Sequence, residues 1–165
     1  MLANIARYFL LVPFKVTVQY RFIQYLQRKN RFSLLMKFFL LRYRIKTAKL
    51  NCCLEPETLV GQGVIFPHGF PLVINTRAVI GRDCIIHPNV LIGSTRTKEG
   101  FPVIGDNCFL GNGCKIIGNC TIGNWVFIAP GAFVNKDIPS GAVVGYGMNN
   151  IISDKGRETI ELYLV

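Results

Sequence analysis

A six-residue period constrains this chain more than any other feature. Stepping by six from Ile80 gives Ile86 and Ile92, then Ile104, Leu110, Ile116, Ile122, Ile128 and Val134, with only position 98 out of series. Glycine follows the apolar residue at Gly81, Gly93, Gly105, Gly111 and Gly123, and two residues before it sits a small or β-branched side chain: Cys84, Val90, Cys108, Cys114, Cys120, Val126 or Ala132. A helix repeats every 3.6 residues and an isolated strand every two, so neither yields six. A triangular coil of three short strands does, with one apolar side chain per side pointing into a narrow prism and glycine at the tight corners. The period predicts a mainly β chain with about five coils over residues 51–145.

Charge divides the chain at Leu50. Residues 1–50 hold eleven Lys or Arg and no Asp or Glu, whereas residues 51–165 hold eight basic and nine acidic residues, so the net charge of +10 lies wholly in the first third. Three parts follow: a basic amphipathic α-helical segment (1–50), the repeat domain (51–150) and a C-terminal tail (151–165). In the first part Val18, Phe22, Tyr25 and Leu26 share one helical face, with Arg21, Gln24 and Arg28 opposite. Ser33 is a fitting N-cap for a second helix from Leu34 to about Lys46, basic at its end. No apolar run approaches the roughly 20 residues of a membrane span, and no small-residue cleavage site follows the first apolar stretch, which predicts a cytoplasmic protein. The segment reads either as a cap on the coil or as a surface for an anionic membrane. No nucleic-acid-binding module accompanies the charge.

The six cysteines read as packing. Cys108, Cys114 and Cys120 occupy the small inward place of successive hexads, where the thiol is a compact hydrophobe. No CxxC spacing is present, and adjacent Cys52 and Cys53 chelate one ion poorly, so no metal is expected.

Two places break the period. Val60 to His68 is eight residues, while His68, Ile74 and Ile80 are six apart, so two extra residues re-aim the chain where an imidazole appears. The polar stretch STRTKEG, residues 94–100, reads as a loop leaving the prism. A neutral imidazole accepts a proton from an attacking hydroxyl near pH 7, which makes His68 the candidate general base.

The stretches VGQGVIFPHGFPLVIN (60–75) and VIGDNCFLGNGCKIIGNCTIG (103–123), with the loop between them, resemble the hexapeptide-repeat acyltransferases, in particular serine acetyltransferases and related polysaccharide O-acetyltransferases. The resemblance implies a left-handed parallel β-helix, a homotrimer, acetyl-CoA as co-substrate and His68 as base. An Asp fifteen residues before the base orients its ring in that family; Cys53 stands there, and Glu55, on the same strand face, is the candidate replacement. The resemblance places acetyl-CoA against Asn112, Gly113, Ala129 and Pro130, with Lys136 toward phosphate, while the closing G-x-P-A-[KR] motif survives only as Gly145. Arg96, Lys98 and His87 are candidate acceptor contacts. Serine enzymes also carry Asp before the base and Arg-His at the loop end, and here those places hold Pro67, Gly100 and Phe101. The reading is therefore acetyl transfer to a sugar or surface-polysaccharide precursor, lipid-linked or free. The alternatives are a serine O-acetyltransferase and a non-catalytic trimeric scaffold. A β-helix hydratase similar to γ-type carbonic anhydrases needs three zinc-binding histidines, and this chain has two.

Overall fold

The computed structural model describes residues 12–29, 34–95 and 99–163, so the proposed N-cap Ser33 and the candidate contacts Arg96 and Lys98 lie outside the described residues. Two helices, α1 (Val12–Arg28) and α2 (Leu34–Lys49), precede a parallel β-solenoid. One side of the prism is built from β1 (Cys52–Cys53), β3 (Leu72–Ile74), β6 (Leu91–Gly93), β9 (Lys115–Ile117) and β12 (Phe133–Val134). The second side is β2 (Leu59–Val60), β4 (Val79–Ile80), β7 (Val103–Ile104) and β10 (Thr121–Ile122). The third is β5 (Ile85–Ile86), β8 (Phe109–Leu110), β11 (Phe127–Ile128) and β13 (Val143–Val144), closed by antiparallel β14 (Ile151–Ser153). Five strands on the first side enclose four full turns, one fewer coil than the period suggested.

The register explains why the hexad works. Ile80 pairs with Ile104, Leu110 with Ile128 and Ile92 with Ile116, so identical positions stack in vertical columns. Every member of the predicted apolar series is buried, as are the small residues beside it. An added Cβ at Gly111 would lie 2.6 Å from the backbone nitrogen of Pro130 one coil further on, so that corner admits no side chain. A second ladder runs up another corner: the side chain of Asp106 accepts from the Arg82 backbone N–H at 2.7 Å, and that of Asn124 accepts from the Asp106 N–H at 2.8 Å.

The cysteines pack as expected. All but Cys53 are buried, and all six are free thiols. Burial pushes the Cys114 thiol up to about 12 and the Cys120 thiol up to about 11, so both stay protonated. Among the described residues no cluster of ligating side chains could hold a metal ion.

The helices close the first coil through hydrogen bonds. A solenoid end exposes backbone carbonyls that no neighbouring coil satisfies. Tyr20 and Tyr43 donate their hydroxyls to Thr58 O and Leu54 O, both at 2.5 Å, while Arg21 donates to Val60 O at 2.6 Å and also to Gly61 O. Gln24 donates to Pro56 O at 3.1 Å and to Thr58 O at 3.2 Å. This corrects the helical face read from the sequence. Val18, Phe22 and Tyr25 are exposed, and the buried face is Val16, Tyr20, Ile23 and Leu26, with Arg21 and Gln24 turned toward the solenoid. The surface to be covered is polar at its rim, so donors outcompete apolar side chains for it.

Residues 151–163 add a strand and a helix to the prism. After β14, α3 (Gly156–Tyr163) lays Ile160 over Ile85, Phe109, Phe127 and Val143 on the outer face of the third side. Arg157 of that helix sits 4.8 Å over the Trp125 ring.

Candidate active site

The register relocates the first break in the period. Ile65 bridges to Ile85, so Phe66 is the inward residue of that coil and follows Val60 by six, and it is buried as that position requires. The two extra residues lie between Phe66 and Ile74. His68 is therefore an exposed corner residue rather than an inward one, and the insertion widens the turn that carries it.

That corner is conformationally unusual. His68 has φ 60° and Gly69 follows at φ 82°, two left-handed residues in succession. Most other non-glycine residues with positive φ here are Asn or Asp, whose short side chains tolerate it. An imidazole there is held at a cost of about 1–2 kcal/mol. Tight packing supports the turn from beneath, since a Cβ added at Gly69 would meet Cγ of Pro13 in the first turn of α1 at 2.9 Å. The cap thus also braces the corner bearing the candidate base.

His87 stands one coil below. The two imidazole centroids are 5.9 Å apart and tilted by 46°. His87 rests in turn on Phe109 at 4.9 Å, and Phe109 stacks on Phe127 at 4.7 Å. Tyr163 of α3 covers both phenylalanines, at 5.2 and 5.0 Å. Burial, and then the neighbouring His68, hold His87 below the ordinary histidine range, which keeps its ring neutral. This aromatic wall was not read from the sequence. Phe109 and Phe127, eighteen residues apart at an outward hexad position, were the available signal, whereas Tyr163 arrives only through the packing of α3.

Further along the same corner the column beneath His87 is Gly111, Ala129 and Gly145, by register with Ile85, Phe109, Phe127 and Val143. It is a strip of backbone nearly free of side chains. Asn112, Gly113 and Pro130 border it, and Gly113 has open space where a Cβ would stand. Lys136 is exposed beyond β12, on the next corner of the prism. Glu55 lies 3.7 Å from Arg44 of α2, an ion pair in which both side chains are largely solvated. The ends of the 94–100 loop are on that next corner too, between β6 and β7, so one protomer does not bring them to His68. At the loop end, the Arg77 guanidinium sits 5.3 Å over the ring of Phe101.

Residues 101–136 match the family model described as bacterial transferase hexapeptide (six repeats). A serine acetyltransferase of Synechococcus elongatus is 36% identical over 93 residues, 55% of this chain and 38% of that protein. The serine acetyltransferase of Haemophilus influenzae is 28% identical over 142 residues, 85% of this chain and 52% of its own length. Among solved structures, a serine acetyltransferase in complex with cysteine superposes with TM-score 0.73 at 26% identity, covering 87% of this chain and 59% of that one. The repeat region of this chain is similar to that of the hexapeptide-repeat transferases. A family member from Brucella abortus, serine acetyltransferase in complex with coenzyme A, superposes with TM-score 0.72 at 25% identity, covering 86% of this chain and 56% of that one. The chain thus spans roughly 40–60% of the length of these hexapeptide-repeat relatives. All four relatives are serine acetyltransferases.

Proposed function

We propose that this chain transfers acetyl from acetyl-CoA to a hydroxyl, with His68 as general base and serine as the leading acceptor. The observation that carries the reading is His68 itself: an exposed imidazole on a left-handed corner, at the head of a backbone strip, in a fold that superposes on a serine acetyltransferase solved with coenzyme A. In the proposed step His68 takes the acceptor hydroxyl proton as the oxygen bonds to the thioester carbonyl carbon. Collapse of the tetrahedral adduct breaks the carbon–sulfur bond, and the imidazolium returns its proton to the departing thiolate. His87, neutral and 5.9 Å away, adds no positive charge to oppose the imidazolium. Ala129 lies in the strip that would receive pantetheine, and Asn112, Gly113 and Pro130 border it. Because the loop ends and His68 occupy different corners, a complete site is shared between protomers, in keeping with a homotrimer.

Serine is favoured by the relatives and by Arg77. The loop-end positions Gly100 and Phe101 carry no charge, but Arg77 brings a guanidinium over Phe101 from the preceding coil, which supplies a cation for a carboxylate. A neutral sugar hydroxyl is the second reading, favoured by Pro67, which offers an ammonium group no anion. Release of the coenzyme A thiol, followed with each acceptor in turn, tests both. Serine turnover that His68→Ala abolishes and Arg77→Ala weakens through KM supports the first reading. Turnover of sugars alone supports the second, and thiol release from neither acceptor class leaves a non-catalytic scaffold as the better account.

A further inference from the structure

The sequence left residues 1–50 with two readings, and the structure separates them by face. The inner face of α2, with Met36, Tyr43 and Thr47 buried, belongs to the cap. On the opposite face Leu34, Phe38, Leu41 and Ile45 form an unbroken ridge at helical spacing, 50 to 86% exposed. Lys37 flanks the ridge on one side, and Arg42 and Lys49 on the other, all exposed. Phe22 of α1 extends the patch, its ring 5.1 Å from that of Phe39. We infer that this ridge docks the protein on an anionic lipid surface, with the apolar side chains entering the headgroup boundary and the flanking cations meeting the lipid charge.

Two observations select that occupant. An apolar centre with basic margins on one helix face is the geometry of an in-plane interfacial helix. The second is unneutralised charge. Residues 1–50 contain no Asp or Glu, and Arg44 alone among the α2 cations has an ion-pair partner among the described residues, Glu55 of the first coil. Burial first, and then the neighbouring charges of Lys15 and Arg42, lower the affinity of Lys46 for a proton, so cations gather on this helix without a nearby anion to offset them. A second copy meeting the ridge cap to cap would set these cations against themselves, so self-association does not supply one. No described helix is long and apolar enough to cross a membrane, so the contact is a surface one.

The test is flotation of the full chain with vesicles of phosphatidylcholine alone or mixed with phosphatidylglycerol, which is independent of acyl transfer. The expected result is binding to the mixed vesicles at low salt and none to the neutral ones. Neutralising Arg42 or Lys49 should weaken partitioning by about fivefold each. Leu41→Glu should abolish it without unfolding the chain, because that side chain faces solvent; Ile45→Gln serves as a second probe of the ridge. Equal binding to both vesicle types, no binding to either, or ridge variants that float like the parent would overturn the inference. So would a drop in solution mass caused by Leu41→Glu without lipid, which would make the ridge a contact between copies.

Discussion

Tyr43→Phe isolates the hydrogen-bonded end cap in one atom. The Tyr43 hydroxyl is buried and donates to Leu54 O at 2.5 Å, and among the described residues no other side chain donates to that carbonyl. Removing it leaves a desolvated carbonyl unpaired, which costs about 1–3 kcal/mol. In a chain of this length each kcal/mol moves the midpoint by roughly 2–4 °C, so a loss of about 2–12 °C is expected. Tyr20→Phe is the internal control. Thr58 O, which accepts from Tyr20 at 2.5 Å, also accepts from Gln24 at 3.2 Å, so the loss should be smaller. Burial pushes the Tyr20 phenol up to about 12 from an ordinary 10.0, so its contribution is complete below pH 10 and declines toward pH 12 as the unfolded phenol ionises. Thermal unfolding by circular dichroism, at one protein concentration because assembly shifts the midpoint, measures all three effects. The reasoning fails if Tyr43→Phe melts with the parent, or if Tyr20→Phe is the more damaging of the two.

Other outcomes follow from the same geometry. His68→Ala should lower acetyl transfer by about 10²–10⁴-fold while leaving the melting midpoint nearly unchanged, since the side chain is exposed and alanine keeps the same Cβ at this left-handed corner; a variant with full turnover removes His68 from the mechanism. Gly111→Ala should destabilise the fold and reduce coenzyme A binding measured by calorimetry, because the new methyl meets Pro130 N at 2.6 Å. Held below its ordinary range, His87 contributes stability that is complete above that range and is lost as pH falls through it, so His87→Gln should flatten the acid limb of the stability profile. A thiol reagent applied to native protein should label Cys53 and spare the five buried cysteines, with all six reacting in denaturant.

The coil was legible because its period is imposed residue by residue. Each inward Ile or Leu and each corner glycine answers to the coil above and below, so the pattern survives in one dimension. What escaped the sequence depends on contacts between distant parts. The eight-residue step was assigned before His68 because histidine was counted as the inward residue, and only the bridge of Ile65 to Ile85 shows Phe66 in that place. The α1 face was misjudged for a related reason: apolar spacing reports burial against apolar surface, and the end of a solenoid offers carbonyls. Tyr163, meeting Phe109 at 5.2 Å, had no sequence signal, since its partners lie in earlier coils and its segment reads only as a C-terminal tail.

The two ends of the prism also bear on what the chain must not do. Stacked parallel coils are a template for more of the same, and a bare end would recruit the next chain into a fibre. Here one end is stoppered by side-chain donors from α1 and α2. On the third side of the other, β14 runs antiparallel to β13, so the terminal strand presents a direction that an incoming parallel coil does not match. Growth is arrested by different means at the two ends, and neither stopper depends on how many coils lie between. The barrel of the molecule could lengthen by whole turns of about eighteen residues while both stoppers stayed intact, which lets catalytic corners be added or lost without opening a route to polymerisation.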